Sequence, residues 1–299
     1  MKALLLTEPM PAAPFMAAIG AQVPELELLE YRPALGDDAL ADVDIAIGWR
    51  LPEALAARLP RLAWICSIAA GVEKLLASGL APSVVVSRIV DPAQAAGIAQ
   101  FVAAMVLRHA RSLELYEAQQ RARVWRREPT PMASPRVAVL GTGAMGGAIV
   151  DWLGRVGMRV RGWNRRSAQT LAETLANADV VVCALPLTKD TERILDARAF
   201  AAMPAGSYLV NVARGAHVVE ADLIAAVRSG HLAGAALDVQ CREPMAADDP
   251  LWSVPGITIT PHIAAQSSTD AIVRQFVDAL RAWQRGEAIP NAIDRSRGY

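Results

Sequence analysis

Short apolar runs alternate with stretches of helical spacing along the first third of the chain. The runs are rich in β-branched residues, as buried strands are, whereas the intervening stretches place apolar residues every three or four positions. The pattern predicts strands at residues 3–6, 44–47, 62–65 and 84–86, and helices at residues 51–59 and 71–78. Strands that alternate with helices are typical of a parallel α/β sheet. We therefore expect one α/β unit in this part of the chain.

A longer helical pattern follows this unit. From about Pro92 to Trp125 there is little helix-breaking punctuation after Gly97, and apolar residues recur at helical spacing. The pattern predicts one long helix that divides two domains. Beyond it, residues 128–131 include two prolines, which predict an extended loop because a residue before proline is pushed out of the helical region.

A second series of apolar runs begins at Arg136. It predicts strands at residues 137–140, 158–163, 180–184, 208–212, 234–239 and 257–260. A last amphipathic stretch, Thr269 to Trp283, has its apolar residues on one helical face and serine or threonine N-caps before it. We therefore expect a second parallel α/β unit and a closing helix.

Composition narrows the classes of function. At 299 residues the chain is long enough for two domains. Lysine and arginine together number 30, as do aspartate and glutamate, so no broad basic field exists to hold nucleic acid or an anionic membrane. The 3 cysteines are widely spaced, which predicts neither a metal site nor a disulfide framework. With no signal-like start and no apolar run of membrane-spanning length, we expect a soluble cytoplasmic protein.

The predicted strand 137–140 runs directly into a glycine-rich turn, Gly141-Thr142-Gly143-Ala144-Met145-Gly146. In such a turn the first glycine permits a tight bend, the second lets the backbone approach a pyrophosphate, and the third allows close packing of helix on strand. A helix that begins near Ala144 would point its free N–H groups at the phosphates. Glycines also serve ordinary turns, but a strand before and a helix after favour a dinucleotide site.

The residues after the next predicted strand indicate which dinucleotide binds. An acidic residue that holds the adenosine ribose would stand at Asn164, which is followed by Arg165 and Arg166. A carboxylate would repel a 2′-phosphate, whereas guanidinium groups pair with it. The sequence therefore predicts NADP in preference to NAD, although the two arginines could also form only a solvated turn. Leu185 and Pro186, after another strand, could lie against the cofactor or belong to an ordinary loop.

Three polar residues, Arg214, Glu243 and His262, stand in order along the final third of the chain. Reduction of a 2-keto acid needs a fixed cation for the carboxylate and a proton for the developing alkoxide. Arg214 can supply the cation and His262 the proton, while Glu243 would stabilise the protonated imidazole. Singly, the three could be a surface ion pair, a loop residue and a structural histidine. The other histidines all have structural explanations: His109, His217 and His231.

The motifs around these residues resemble those of the D-isomer-specific 2-hydroxyacid dehydrogenases, most of all the glyoxylate/hydroxypyruvate reductase A type of that family. The similar segments run along nearly the whole chain and include residues 209–220, Leu237-Asp238-Val239, Pro250-Leu251-Trp252, residues 258–262 and the tail 294–299. With the patterns above, the resemblance leads us to expect two Rossmann-like domains with parallel sheets, one flavodoxin-like and one NAD(P)-binding. The substrate domain would comprise residues 1–97 and 270–299, and the nucleotide domain residues 98–269.

The resemblance also implies roles at the substrate site. Arg214 would grip the carboxylate and carbonyl, and Glu243 with His262 would form an acid dyad. The N–H groups of Ala70, Gly71 and Val72, where the chain enters a helix, would also meet the carboxylate. Trp49 would form a wall of the substrate pocket, and an apolar core position at a strand end explains it equally well. Three departures from the family's usual residues bear on the shape of the pocket: Ala69 for glycine, Glu73 for aspartate and Gln240 for an aromatic residue.

At the cofactor site the resemblance implies NADPH, and for the assembly a homodimer. Asp238 would meet the nicotinamide carboxamide. Val212, Ala213 and Ala264 would lie beside the cofactor. The expected reaction is reduction of glyoxylate or hydroxypyruvate to glycolate or D-glycerate in the cleft between the domains.

Other functions remain open at this point. A bulkier 2-keto acid would keep the mechanism and change only the pocket. A cofactor-sensing binding protein is a different possibility, since relatives of this fold serve as transcriptional corepressors, although an intact catalytic set favours turnover. Dehydrogenases of 3-hydroxy acids use a catalytic lysine, and Lys74 and Lys189 are expected to be solvated here.

Overall fold

The computed structural model describes residues 1–128 and 134–295. The chain forms two compact units, Met1–Asp91 with Ser267–Tyr299, and Pro92–Gln266. The boundaries expected from the sequence, 97/98 and 269/270, fall inside the helices Pro92–Ala110 and Thr269–Gln284. Most of the predicted extended loop at 128–131, and residues 296–299 of the tail, lie outside the described residues.

The first unit is a parallel sheet with helices packed against it. Its strands are β1 (Lys2–Leu6), β2 (Glu27–Glu30), β3 (Ile45–Gly48), β4 (Trp64–Cys66) and β5 (Val85–Ser87), in the spatial order β2-β1-β3-β4-β5. Its helices are α1 (Ala12–Gly20), α2 (Asp37–Leu40), α3 (Glu73–Leu76) and the closing helix α10 (Thr269–Gln284). The central strands β3 and β4 are apolar and buried along their whole length, as a parallel sheet covered by helices requires.

Helix α10 returns the end of the chain to this unit. It begins after Ser268, whose hydroxyl accepts the Ala271 N–H at 3.2 Å. Its apolar face is buried, and Phe276 stacks on Trp64 of β4 with ring centroids 5.4 Å apart. The predicted closing helix is therefore confirmed, and burial of its apolar stripe is what holds it against the sheet.

The second unit is also a parallel sheet. Its strands are β6 (Arg136–Leu140), β7 (Arg159–Trp163), β8 (Val180–Cys183), β9 (Ser207–Asn211), β10 (Leu232–Leu237) and β11 (Ile257–Ile259), in the order β11-β10-β9-β8-β6-β7. Its helices are α4 (Pro92–Ala110), α5 (Leu113–Arg121), α6 (Ala144–Arg155), α7 (Leu171–Ala176), α8 (Ala197–Ala202) and α9 (Glu220–Arg228). Apolar cores cover both faces of this sheet. Two parallel α/β units were predicted, and both are confirmed.

Several local predictions were wrong. The single long helix is broken into α4 and α5 because Ser112 adopts a left-handed φ of 53°. Residues 51–59 form only a 3-10 turn at Leu55–Arg58, after Ala54 with a φ of 62°, and the predicted helix 71–78 is reduced to the single turn of α3. Strand β2 was not predicted because it lies at the sheet edge, where none of its residues is fully buried and no apolar run is needed.

Two further observations concern membrane-spanning helices and metal sites. Within residues 1–128 and 134–295, no helix is long and apolar enough to cross a membrane. In the same part of the chain, no group of at least three His, Cys, Asp or Glu side chains is arranged to hold a metal ion.

Cys66 and Cys183 are free thiols in the cores, where burial raises the pKa of each to about 12 and keeps both neutral.

Candidate active site

The three predicted catalytic residues lie beyond the ends of neighbouring strands. Arg214 follows β9, the segment with Glu243 follows β10, and His262 follows β11. These strands are parallel and adjacent, so their carboxyl ends share one edge of the sheet. Such an edge is where open α/β sheets bind ligands. The second unit therefore brings all three loops to one place.

Glu243 and His262 form a direct pair. Oε2 of Glu243 lies 2.9 Å from Nδ1 of His262. The other carboxylate oxygen, Oε1, accepts the Gln240 N–H at 3.1 Å, which fixes the orientation of the carboxylate. The side chains of His262 and Glu243 are 48% and 34% exposed, so a small ligand can reach the pair. Because Glu243 occupies Nδ1, the proton that this histidine can transfer is the one on Nε2.

Asp238 organises the loop that carries His262. Its carboxylate is buried and accepts hydrogen bonds from the Thr260 hydroxyl at 2.6 Å and from the N–H groups of Ile263 and Ala264, each at 2.9 Å. The His262 N–H donates to the Asp238 carbonyl at 2.8 Å. Asp238 and Ala264, both predicted cofactor contacts, are thus joined by a hydrogen bond. The structure gives Asp238 the additional role of anchoring the histidine loop.

Gln240 joins two strand ends within the same site. Its buried side-chain amide donates to the carbonyls of Leu237 at 3.0 Å and Thr260 at 3.4 Å. It therefore connects the end of β10 to the segment before His262. The sequence marked this position only as a departure from an aromatic residue. Nothing in the sequence alone shows that an amide here bridges neighbouring strands.

The Arg214 loop passes close to the segment that leads to Glu243. Arg214 has an extended backbone, and its Nη1 donates to the Ala213 carbonyl at 2.6 Å. At Gly215, a Cβ would lie 1.9 Å from the carbonyl carbon of Gln240. Only glycine permits this approach, so Gly215 is what lets the arginine loop lie against the loop of the dyad.

A buried histidine links the Arg214 loop to the loop after β8. Nδ1 of His217 lies 3.1 Å from the Arg214 carbonyl oxygen, and Nε2 lies 3.3 Å from that of Pro186. These contacts agree with the structural role expected for His217. Of the predicted cofactor contacts nearby, Leu185 is buried, Pro186 is exposed and Val212 is half-buried.

The glycine-rich turn has the shape that a pyrophosphate needs. Gly141 has a φ of +100°, and a Cβ there would lie 2.5 Å from the Ala184 carbonyl oxygen. At Gly146 a Cβ would lie 1.9 Å from the Gly141 oxygen, whereas at Gly143 it would meet no atom within 4 Å. Helix α6 begins at Ala144 without a side-chain cap. Its first N–H groups and the open space at Gly143 are therefore available to an anion.

The loop after β7 is bonded to this turn. Asn164 donates from Nδ2 to the Thr142 hydroxyl at 2.8 Å, and its Oδ1 accepts the Arg166 N–H at 2.8 Å. Arg165 forms an ion pair with Asp190, a residue that the sequence did not single out. The arginines that were predicted to select a 2′-phosphate therefore lie beside the glycine turn. Asp190 would compete with a phosphate for one of them.

The predicted substrate contacts of the first unit lie in the loops after β3 and β4. Trp49 is half-buried and donates from Nε1 to the Glu8 carbonyl at 2.8 Å. Ala70 and Gly71 are half-buried and Val72 is buried. They belong to a different unit from the dyad. Helix α3 follows them but has only one turn, so the helix dipole expected to favour a carboxylate there is weak.

Comparison with known proteins identifies the family. The family described as D-isomer specific 2-hydroxyacid dehydrogenase, NAD binding domain, matches residues 103–264. The glyoxylate/hydroxypyruvate reductase A of Serratia proteamaculans (strain 568) is 32% identical, and the match covers 96% of each chain. The chain belongs to this family. Its members are oxidoreductases, so the dyad and the glycine turn lie in the fold of a dehydrogenase.

Solved structures of the family have the same fold. A D-isomer specific 2-hydroxyacid dehydrogenase from Xanthobacter autotrophicus Py2, in complex with NADPH and MES, is 35% identical with a TM-score of 0.92 and covers 100% of this chain and 99% of its own. An NADPH-dependent glyoxylate/hydroxypyruvate reductase from Sinorhizobium meliloti, in complex with NADP and sulfate, is 29% identical with a TM-score of 0.91 and the same coverage. The expected family and fold are confirmed.

Proposed function

We propose that this protein reduces glyoxylate or hydroxypyruvate to glycolate or D-glycerate, with NADPH as reductant. The observation that carries the proposal is the pairing of Glu243 with Nδ1 of His262, at the strand edge where the Arg214 loop also lies. The relatives named as glyoxylate/hydroxypyruvate reductases support the choice of substrate.

Three side chains divide the work on the substrate. The guanidinium group of Arg214 pairs with the carboxylate and polarises the keto group. His262 donates its Nε2 proton to the keto oxygen, and Glu243 stabilises the imidazolium before that transfer. The proton reaches the oxygen as negative charge develops on it, which is where acid catalysis lowers the barrier.

The residues of the second unit fit a dinucleotide that carries a 2′-phosphate. The open space at Gly143 and the uncapped start of α6 suit a pyrophosphate, and Arg165 and Arg166 would hold the 2′-phosphate beside Asn164. Bound NADPH supplies the hydride. We propose as further cofactor contacts the residues of the turn and of the same sheet edge: Gly141, Ala144, Met145, Gly146, Leu185, Pro186, Val212, Ala213, Asp238 and Ala264.

In the first unit we propose Trp49 as a wall of the substrate pocket, and the N–H groups of Ala70, Gly71 and Val72 as donors to the substrate carboxylate. The family resemblance supports a homodimer. We also propose that the enzyme is cytoplasmic and acts on a small molecule. The balanced charge of the chain offers no broad basic surface for nucleic acid.

Steady-state reduction of a panel of 2-keto acids, with each cofactor in turn, tests this proposal. We expect kcat/KM to be higher for glyoxylate and hydroxypyruvate than for pyruvate and a branched-chain 2-keto acid, and higher with NADPH than with NADH. Arg214→Lys keeps the charge but loses the fork, so kcat/KM should fall by at least about a hundredfold while NADPH affinity is unchanged. If the branched-chain acid is preferred, the substrate assignment is wrong and the enzyme acts on bulkier 2-keto acids. If NADPH is not consumed with any acid, the proposal is overturned.

A further inference from the structure

The two arginines proposed to bind the 2′-phosphate have different surroundings. The Arg165 guanidinium, in the loop after β7, forms an ion pair with Asp190, in the loop after β8. Arg166 follows directly, and its side chain has no ion pair or hydrogen bond with any described residue. The charge of Arg166 is therefore available to a ligand, whereas the charge of Arg165 is shared with a carboxylate.

Hydrogen bonds hold the loop that carries Asp190. The Thr191 side chain is buried, and its hydroxyl accepts the Thr188 N–H at 2.8 Å and donates to the Pro186 carbonyl at 2.6 Å. The Thr191 N–H donates to the Thr188 carbonyl at 3.0 Å. Asp190 therefore lies in a turn whose shape does not depend on the ion pair.

Arg165 lies in a turn that is held in the same way. The Ser167 hydroxyl accepts the Asn164 N–H at 2.9 Å, and the Ser167 N–H donates to the Asn164 carbonyl at 2.9 Å. Asn164 also bonds to Thr142 of the glycine turn. Two fixed loops thus bring a carboxylate to the arginine that follows Asn164. A phosphate that approaches Arg165 meets a group of its own sign, which repels it and occupies N–H donors that it needs.

We propose that Asp190 is a specificity-determining residue for the cofactor, because its carboxylate competes with the 2′-phosphate for Arg165 and so lowers the preference for NADPH over NADH. This inference rests on the proposed function, since it takes Arg165 and Arg166 as the ligands of that phosphate. NADH has a 2′-hydroxyl group and needs no cation there, so the competition acts on NADPH alone. NADP⁺ carries the same phosphate as NADPH, and Asp190 weakens the binding of both equally.

The size of the effect is that of an exposed ion pair. The side chains of Arg165 and Asp190 are 46% and 68% exposed, so solvent screens their attraction. Competition by such a pair changes an affinity by about threefold. Asp190 therefore adjusts the preference for NADPH and does not abolish it.

Asp190→Asn keeps the size of the side chain and removes its charge. Titration of the whole chain at fixed ionic strength should give dissociation constants for NADPH and NADP⁺ that are each about threefold lower than in the wild type. The dissociation constant for NADH should be unchanged. Titration with 2′,5′-ADP and with ADP isolates the adenosine end, and only 2′,5′-ADP should bind more tightly to the variant.

Two further variants separate competition for Arg165 from a general effect of charge. In an Arg165→Ala background, Asp190→Asn should change NADPH affinity by less than about 1.5-fold, because no guanidinium remains to compete for. Glu192→Gln is the matched control. It removes a carboxylate two positions further along the same loop, one that has no ion pair with any described residue, and it should leave every dissociation constant unchanged.

The inference is overturned if Asp190→Asn leaves NADPH affinity unchanged or tightens NADPH and NADH equally. It is also overturned if the variant binds NADPH more weakly, because Asp190 would then orient Arg165 for the phosphate. Failure of the proposed function looks different. In that case no 2-keto acid is reduced with NADPH, yet Asp190→Asn still binds 2′,5′-ADP more tightly than the wild type does. Reduction of glyoxylate with NADPH, together with equal affinities in Asp190→Asn and the wild type, would leave the proposed function standing and remove the inference.

Discussion

His262 occupies a strained backbone position. Its φ of 56° lies in the left-handed region, which costs a residue with a side chain roughly 1–2 kcal/mol. The surrounding hydrogen bonds hold it there: its N–H donates to the carbonyls of Asp238 at 2.8 Å and Thr260 at 3.0 Å. Strain that is over-determined in this way is typical of functional sites. Here it directs the imidazole toward Glu243 and leaves Nε2 for the ligand.

Glu243→Gln tests the coupling between the two side chains. Loss of the carboxylate charge 2.9 Å from Nδ1 makes the imidazolium less stable and the ring less firmly oriented, so transfer of the Nε2 proton to the substrate should slow. We therefore expect kcat to fall by about tenfold or more, with NADPH affinity close to normal.

His262→Ala is the control for that experiment. Its kcat should fall by roughly 10²–10⁴-fold at every pH, with NADPH affinity close to normal, because the imidazole acts on the substrate and not on the nucleotide. A kcat for Glu243→Gln equal to that of the wild type would show that the 2.9 Å contact does not control the proton donor.

The residues that could be predicted are those whose chemistry is tied to a local pattern. Arg214, Glu243 and His262 each follow a strand, and strand ends in a parallel sheet meet at one edge whatever the details of packing. Gln240 and Asp190 were not given roles, because their function depends on which distant atoms the folded chain brings near them. A single sequence specifies such contacts only through the whole fold.

At the scale of secondary structure, the junction between β6 and α6 and the loop after β7 act together. The hydrogen bond from Asn164 to Thr142 ties the loop after β7 to the glycine turn, and Arg165 and Arg166 follow Asn164 directly. A nucleotide that lays its pyrophosphate at this turn would carry its adenosine end toward the arginines. Under the proposed assignment of Arg165 and Arg166, these two connected loops set the preference for a 2′-phosphate.

Arg165→Ala with Arg166→Ala should weaken NADPH binding by roughly 2–4 kcal/mol and leave NADH nearly unchanged, since each lost contact is a charge-assisted hydrogen bond to the 2′-phosphate. Fluorescence titration of both cofactors measures this. Arg159→Ala, which removes a cation at the other end of β7, is the matched control and should change neither affinity. Equal losses of affinity for NADPH and NADH in the double variant would show that the arginines do not recognise the 2′-phosphate.

Helices and strands could be predicted where their buried residues form a periodic apolar pattern in the sequence. The six strands of the second unit are apolar or alternate apolar with polar residues, helix α10 is amphipathic, and all were located. The break between α4 and α5 was not predicted, because the left-handed residue at the break is Ser112 and not a glycine or proline. The helix predicted at 51–59 was wrong because an apolar spacing typical of a helix occurs there without a helix. Its apolar residues pack on the core from a loop, so spacing alone misled.

At the scale of the whole molecule, a half-buried histidine couples the stability of the second unit to pH. His109 of α4 stacks on Tyr208 of β9, with ring centroids 4.4 Å apart and an interplanar angle of 15°. Its Nε2 has no hydrogen-bond partner among the described residues. Burial lowers the pKa of His109 below its ordinary value of 6.5, and the charge of Asp179 opposes this only in part. The folded protein therefore holds His109 neutral.

The sign of the effect follows from proton linkage. Because the pKa of His109 is lower in the folded state, the unfolded chain binds more protons between the folded-state value and 6.5. The stability that neutral His109 contributes is complete above pH 6.5 and is lost as the pH falls through this window. Asp179 lies outside the window, since its ion pair with Arg136 holds the pKa of its carboxyl below the ordinary 3.8.

His109→Phe should therefore flatten the pH dependence of stability. Phenylalanine keeps an aromatic ring against Tyr208 but cannot take up a proton, so the cost of protonation in the folded state disappears. Melting temperatures of wild type and variant should be compared at about pH 7.5 and about pH 5.5, either side of the ordinary histidine value. The wild type should lose more on acidification than the variant. Equal losses would mean that His109 is protonated without cost in the folded state, and that another group causes any acid sensitivity.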